Sequence, residues 1–124
     1  MTQGGIMYNK ESHRASLLAR RDVVKSEIFT ALGRINDDRH AALAEQVHDT
    51  KDHAIAQLLM ESDDADLRRA AGELQDIDAA LQRVSAGTYG RCTACGIAIP
   101  AARLAAYPTA KRCINCQQEH EQKR

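Results

Sequence analysis

The sequence is poor in aromatic residues. They make up 3% of the 124 residues, tryptophan is absent, and Phe29 is the single phenylalanine. A wide globular core built from such a chain would be loosely filled. We therefore expect a narrow seam between helices in place of a large core.

The chain also lacks an excess of charge and any long apolar run. Its 17 basic and 17 acidic residues give a formal net charge of zero. An independent DNA- or RNA-binding protein usually has a basic surface, and this charge balance does not indicate one. No apolar run approaches the ~20 residues of a membrane span, and the N-terminus has no apolar region typical of a secretory signal. We expect a cytoplasmic protein with no membrane contact.

Residues typical of catalysis do not form a recognisable group. There is no glycine-rich phosphate loop, and the serines lie in predicted helices or linkers. The five histidines are scattered and are predicted to lie at the surface: His13, His40, His48, His53 and His120. We therefore expect that the protein is not an enzyme.

The four cysteines, by contrast, are grouped near the C-terminus. They are spaced C-x₂-C-x₁₇-C-x₂-C and are Cys92, Cys95, Cys113 and Cys116. Two residues between cysteines let one tight turn direct both sulfurs at one metal ion, and two such pairs are typical of a tetrahedral Zn²⁺ site. Gly96, directly after the first pair, permits the positive φ that such a turn often needs. The residue after the second pair is Gln117, so the second turn has no glycine at the corresponding position.

Other uses of these cysteines fit the sequence less well. Disulfides would need an oxidising compartment, for which no secretory signal is present. A redox dithiol would leave the second pair unexplained, and a catalytic zinc needs an open coordination position that four thiolates do not leave. His120 is a further candidate ligand, but four cysteines make it unnecessary. We predict one structural zinc ion.

Two amphipathic segments precede the cysteines. The first runs from Glu11 to about Gln46 and the second from about His53 to Ser85, both without proline, with apolar residues in steps of three and four. The predicted seam of the first is Leu17, Val24, Ile28, Ala31/Leu32, Ile35 and Ala42/Leu43. The predicted seam of the second is Leu67, Ala70, Leu74, Ile77, Leu81 and Val84. Gly87 lies where a glycine commonly ends a helix.

These patterns predict an all-α fold. Residues 1–86 would form an antiparallel coiled-coil helical hairpin with an N-terminal segment and a tip at about 47–54. Residues 87–124 would form a four-cysteine zinc finger and a short C-terminal helix. Because both helices of the seam belong to one chain, we expect a monomer.

Two carboxylates lie at the predicted tip. Asp49 and Asp52 are three residues apart, and the small residue Ala54 follows. One interpretation is a solvated turn. The other is that the hairpin delivers the carboxylates to a metal ion or a basic surface inside a partner.

The layout resembles the DksA/TraR family of bacterial transcription regulators. The tip sequence Asp49-x-x-Asp52-x-Ala54 is similar to the DxxDxA motif of the longer members, and Asp52 precedes Cys92 by 40 residues. The resemblance covers about residues 12–121. The matching stretches of the finger are Gly87-x-Tyr89-Gly90-x-Cys92-x-x-Cys95-Gly96, Ile99, Arg103-Leu104-x-Ala106-x-Pro108-Thr109-Ala110 and Cys113-x-x-Cys116.

This resemblance implies a regulator that binds RNA polymerase directly, with no sequence-specific DNA binding. Its coiled coil would enter the secondary channel, and its tip would modulate promoter open complexes and lower output from ribosomal-type promoters. The resemblance assigns the effector role to Asp49, Asp52 and Ala54. It also matches Arg69 to a basic position that contacts polymerase.

The sequence departs from the family where the alarmone (p)ppGpp is bound. Positions that the family fills with basic residues are Asp76, Tyr107 and Gln117 here. Because phosphates need cationic partners, we expect weak or no dependence on (p)ppGpp.

Two other functions stay open. A Gre-like transcript cleavage factor would use tip carboxylates to hold Mg²⁺ in the same channel, although Gre-like proteins lack this finger. A zinc-ribbon adaptor that binds nucleic acid or protein would use the helices to dimerise, but neutral charge and few aromatic stacking residues disfavour it.

Overall fold

A computed structural model describes residues 10–34 and 52–123 of the chain. The backbone alone is described at three positions: Arg34, Asp52 and His53. Over the described ranges the structure is mostly helical, with one isolated β-bridge between Arg91 and Ala98. The helices are α1 (Lys10–Arg34), α2 (Asp52–Leu59), α3 (Ala65–Ala86), α4 (Ala101–Ala106) and α5 (Ile114–Gln122). The all-α prediction is confirmed, and among these helices none has the apolar length that a bilayer requires.

Helix α1 has the predicted apolar stripe. Its buried residues are Leu17, Val24, Ile28, Ala31 and Leu32. Each lies on one face because residues three and four apart meet on one side of an α-helix. The predicted continuation of this helix beyond Arg34, including Ile35, lies outside the described residues.

The second predicted helix is two helices, so the prediction of a continuous helix is wrong. Helix α2 ends at Leu59 and α3 begins at Ala65. Asp64 caps α3, because its Oδ1 accepts a hydrogen bond of 3.0 Å from the backbone N–H of Leu67. Aspartate and serine favour such positions since their side-chain oxygens satisfy free N–H groups of a first helical turn. The polar run at 61–64 therefore contains a capping signal, and the absence of proline from this segment does not reveal it.

The seam of α3 differs from the prediction at two positions. Ala70 and Leu81 are only half-buried, and their neighbours Ala71 and Ala80 are buried in their place. The buried residues of the helix are Leu67, Ala71, Leu74, Ile77, Ala80 and Val84. Apolar periodicity does not separate adjacent apolar residues, so the prediction was shifted by one residue at each of these positions.

The chain divides into two compact units. The helical unit is Leu18–Asp78, and the finger unit is Met1–Leu17 together with Ala79–Arg124. The first turns of α1 and the last turns of α3 therefore belong to the same unit as the cysteines. The predicted division into residues 1–86 and 87–124 follows the sequence alone and stays a prediction.

Polar contacts join α1 to α3 within each unit. In the helical unit the guanidinium of Arg20 donates two hydrogen bonds to the carboxylate of Glu73, one of them from Nη2 at 2.8 Å. In the finger unit Arg14 Nη2 donates to Ser85 Oγ at 3.4 Å. Helix α1 therefore lies beside α3 in each unit.

Candidate metal centre

The finger begins where α3 ends at a glycine. Gly87 has φ +80°, which residues with a side chain rarely adopt. Its N–H donates to the carbonyl of Val84 at 3.2 Å, while the N–H of Thr88 donates to the carbonyl of Arg83 at 2.9 Å. These two bonds are the Schellman pattern that ends many helices. The predicted glycine stop is confirmed.

The first cysteine pair lies in a tight turn closed by backbone bonds. The N–H of Gly96 donates to the carbonyl of Cys92 at 2.9 Å, and the N–H of Cys92 donates to the carbonyl of Ile97 at 2.8 Å. Gly96 has φ +83°, as the sequence predicted. The backbone N–H groups of Ala94 and Cys95 are both directed at Cys92 Sγ, at 3.4 Å. The turn therefore supplies two donors to one ligand sulfur.

The second cysteine pair begins a helix. Cys113 is the N-cap of α5, and its Sγ accepts from the backbone N–H of Cys116 at 3.5 Å. The N–H of Gln117 donates to the carbonyl of Cys113 at 2.9 Å, as in ordinary helical geometry. The second pair needs no glycine because the chain continues into a right-handed helix. The N-terminus of a helix also favours negative charge, which suits two thiolates.

The two turns bring the four sulfurs together. The Sγ atoms of Cys92, Cys95, Cys113 and Cys116 all lie within 4.8 Å of one another. The distance from Cys95 Sγ to Cys113 Sγ is 3.8 Å. Zinc–sulfur bonds of about 2.3 Å in a tetrahedron place sulfurs about 3.8 Å apart. The cluster thus has the dimensions of a zinc site and holds one structural zinc ion.

Charge in the cluster also fits a divalent cation. Burial acts to raise the pKa of the Cys92 thiol, but hydrogen bonds from backbone N–H groups outweigh it and lower the pKa to about 6. The pKa of Cys116 is raised, first through its contact with Cys113 and then through the other two sulfurs. Four sulfurs in one small space therefore resist joint ionisation, and Zn²⁺ supplies the charge that stabilises all four thiolates.

Tyr89 connects the finger to α1. Its side chain is 3% exposed, its hydroxyl donates to the carbonyl of Pro108 at 2.7 Å, and its ring centroid lies 4.7 Å from that of His13. His13 is half-buried, so the prediction of a surface position is wrong for this histidine. Burial lowers the pKa of His13 below its ordinary 6.5. His120, in contrast, is exposed and is not part of the sulfur cluster.

Arg103 supports the loop before the second cysteine pair. Its Nε donates to the carbonyl of Arg112 at 3.2 Å, and Arg112 directly precedes Cys113. The Arg103 guanidinium also lies 5.6 Å from the ring centroid of Tyr107, within cation–π range. Single residues of this kind leave no periodic signal, so only the family motif included Arg103.

The other predicted site residues are not tested by the geometry. Asp49 and the side chain of Asp52 lie outside the described residues, although the backbone of Asp52 begins α2. Ala54 is exposed on α2. The side chain of Arg69 is 76% exposed on α3, and its Nη1 donates to Asp66 Oδ1 at 3.1 Å. The effector and polymerase-contact assignments stay predictions.

Comparison with known proteins agrees with this arrangement. Residues 87–122 match the prokaryotic dksA/traR C4-type zinc finger. The chain is 31% identical over 115 residues to the RNA polymerase-binding transcription factor DksA of Caulobacter vibrioides, which covers 91% of this chain and 76% of that protein. An uncharacterised protein of Aquifex aeolicus is 46% identical over 48 residues, 39% of this chain and 33% of its own length.

The fold has a similar solved structure. The structure of transcription factor DksA2 from Pseudomonas aeruginosa superimposes with a TM-score of 0.61 at 26% identity, covering 99% of this chain and 92% of that chain. The likeness therefore includes the helices as well as the finger. With a matching finger, a sulfur cluster of zinc dimensions and a relative that is similar over most of both chains, this protein belongs to the DksA/TraR family of zinc-finger proteins.

Proposed function

We propose that this protein binds RNA polymerase and regulates transcription without catalysing a reaction. The observation that supports this function most strongly is the similarity to the Caulobacter polymerase-binding factor over most of the chain. A match of the finger alone would favour a zinc-ribbon adaptor equally well. A Gre-like cleavage factor is disfavoured because the finger is a family feature that Gre-like proteins lack. Polymerase as the partner implies a cytoplasmic location.

The zinc ion has a structural part in this proposal. Four thiolates complete a tetrahedral coordination sphere and leave no position for a substrate or an activated water. The ion joins the turn after α3 to the start of α5, through ligands 18 residues apart at Cys95 and Cys113. Its contribution is to hold the finger in one conformation.

The effector residues of the proposal are Asp49, Asp52 and Ala54. The coiled coil enters the secondary channel of polymerase, and the tip alters the open complex at ribosomal-type promoters. The exposure of Ala54 on α2 supports this role, since an effector residue must be accessible to the partner. The buried residues of the same helix are Ile55, Ala56 and Leu59.

Arg69 is the proposed polymerase contact on α3. Its exposed ion pair with Asp66 stabilises the free protein little, since such pairs contribute about 0–1 kcal/mol. Exchange of Asp66 for a carboxylate of the partner therefore costs little. Arg69 also borders an open groove of about 520 Å³ whose far wall includes Arg20 of α1. The Arg69→Ala variant should keep the fold and lose polymerase affinity, whereas the exposed Lys10→Ala control should keep both.

We propose that (p)ppGpp has little or no influence on this protein. Asp76 is an exposed carboxylate that repels phosphate, and the side chain of Gln117 is paired with Arg112 and Glu121. Titration of (p)ppGpp into the complex with polymerase measures the effect. A large gain in promoter inhibition would contradict this part of the proposal.

The direct test of the proposed function is binding. The purified, zinc-loaded protein is labelled with a fluorophore, and its anisotropy is followed as RNA polymerase core enzyme is added. Saturable binding that unlabelled protein competes away is the expected result, and the free protein should elute as a monomer in gel filtration. A dimer that binds nucleic acid or another protein but not polymerase would favour the adaptor instead.

A further inference from the structure

The surface of the zinc finger has an apolar groove of about 540 Å³, which we call the finger groove. Its walls come from the turn after the first cysteine pair, from α4 and from the start of α5. Three large apolar side chains border it: Ile97 is 54% exposed, Tyr107 46% and Ile114 51%. These are three of the seven large hydrophobic side chains that are exposed in the described part of the chain. Exposed apolar surface is therefore concentrated in this groove.

The finger fills its own core without these three side chains. Tyr89, Ile99 and Leu104 are buried there, with at most 5% exposure. Exposed apolar side chains that are scattered singly are ordinary, but a concentration of them on one concave surface is typical of an interaction site. The finger groove is therefore a candidate contact surface.

The walls of the finger groove are held in place by the finger itself. Arg103 Nε donates to the carbonyl of Arg112 at 3.2 Å, which joins α4 to the segment before α5. The zinc ligands Cys95 and Cys113, whose Sγ atoms lie 3.8 Å apart, join the other two walls. The lining also includes small residues, beside which another chain can approach closely: Ala98, Ala102 and Ala106. Because the groove is already formed, little ordering of this protein opposes binding there.

The charges beside the finger groove are positive. Arg103 borders it, with its guanidinium 5.6 Å from the ring centroid of Tyr107. At the other end Arg91 Nη1 donates to the carbonyl of Gly96 at 3.2 Å, directly before Ile97. Residues 87–118 contain four basic residues and no acidic one. Four thiolates on one Zn²⁺ offset about two of these charges, so this part of the finger keeps a net charge of about +2.

We propose that the finger groove binds an acidic, amphipathic segment of RNA polymerase. Apolar side chains of the segment fill the groove between Ile97 and Ile114, and its carboxylates meet Arg91 and Arg103. A second copy of this chain is a poorer occupant, because a symmetric contact through this face would oppose the positive charges of the two fingers. This inference rests on the proposed function and adds a contact surface on the finger to the proposed contact at Arg69.

The test removes apolar surface and charge from the groove separately. The double variant Ile97→Ser/Ile114→Ser removes two half-exposed side chains, and Val23→Ser is its control because Val23 is 47% exposed on α1. Arg91→Glu reverses a charge beside the groove, and Lys123→Glu reverses an exposed charge at the end of α5. For each variant we would measure zinc content, melting temperature, and polymerase affinity by competition at low and high salt.

We expect the double variant to keep one zinc ion per chain and to bind polymerase about tenfold more weakly than wild type, since burial of large apolar side chains has effects of that order. Arg91→Glu should weaken binding severalfold at low salt and less at high salt. Val23→Ser and Lys123→Glu should bind within about twofold of wild type. Wild-type affinity in the double variant would overturn the inference. So would wild-type affinity of Arg91→Glu at low salt, which keeps the test decisive if the double variant fails to fold.

A crosslink identifies the occupant. A photoreactive benzoylphenylalanine in place of Asn115, which is exposed at the groove, is irradiated in the complex with purified polymerase, and the joined peptide is identified by mass spectrometry. The expected partner is one polymerase segment that contains both apolar and acidic residues. A crosslink to a basic segment, to nucleic acid or to a second copy of this chain would overturn the inference. Wild-type protein that does not bind polymerase would instead refute the proposed function, so the two failures are distinguishable.

Discussion

The hydrogen bond from the hydroxyl of Tyr89 to the carbonyl of Pro108 should contribute measurably to the stability of the finger. In the variant Tyr89→Phe the ring stays in place beside His13, but the bond of 2.7 Å to the carbonyl of Pro108 is lost. A buried group left without its partner costs about 1–3 kcal/mol. Because Pro108 is itself only half-buried, water can partly replace the hydroxyl. We therefore expect Tyr89→Phe to lower the free energy of unfolding by about 1–2 kcal/mol, in the lower part of that range.

This loss converts into a measurable melting shift. With an unfolding entropy of about 2.1 cal/mol/K per residue, a chain of this length loses about 4 °C of melting temperature per kcal/mol. Tyr89→Phe should therefore melt about 4–8 °C below wild type in the presence of zinc. Zinc content should stay at one ion per chain, since Tyr89 is not a ligand.

Tyr107→Phe is the matched control. Tyr107 also belongs to the finger unit, but its side chain is 46% exposed. Removal of its hydroxyl should change stability by less than about 0.5 kcal/mol. Equal melting temperatures for Tyr89→Phe and wild type, or equal losses for the two tyrosines, would refute the reasoning.

Three further predictions follow from the geometry. Cys113→Ser, or a strong chelator, should remove zinc and abolish cooperative unfolding of the finger, because a structural zinc ion contributes on the order of 10 kcal/mol; retained zinc would contradict a four-thiolate site. A double-mutant cycle on Arg20 and Glu73 should give a coupling of about 0.5–1 kcal/mol that shrinks in high salt, and a salt-independent value would contradict an exposed ion pair. Since burial lowers the pKa of His13 below 6.5, unfolded protein takes up this proton more readily than folded protein. Its stability should thus be complete above pH 6.5 and fall as pH drops below it, with a weaker fall in His13→Gln; identical acid profiles would contradict the burial effect.

The zinc centre was predictable because its signals are local. Two residues between cysteines allow one turn to collect two sulfurs, and Gly96 follows the first pair in the conformation that the turn requires. The glycine at the end of α3 is equally local, since Gly87 meets a need of the backbone itself. Such features depend on a few adjacent residues, so they can be predicted without knowledge of the tertiary structure.

Other features were missed or misplaced. The division between α2 and α3 is made by side-chain oxygens of Ser62 and Asp64 that accept backbone hydrogen bonds, and the absence of proline from this segment gives no sign of it. Ala71 is buried where Ala70 was predicted, because adjacent apolar residues fit the same period. The contact of His13 with Tyr89 joins residues that are 76 positions apart in the sequence, and no sequence pattern indicates it.

The most direct test of the central proposal is in vitro transcription with the cognate RNA polymerase. Wild type would be compared with the double variant Asp49→Asn/Asp52→Asn on a ribosomal-type promoter, with Asp63→Asn as a control for loss of a carboxylate. The account predicts that wild type and the control inhibit, and that the double variant binds polymerase with similar affinity but no longer inhibits. Equal inhibition by the double variant and wild type, or no effect of wild type at all, would contradict it.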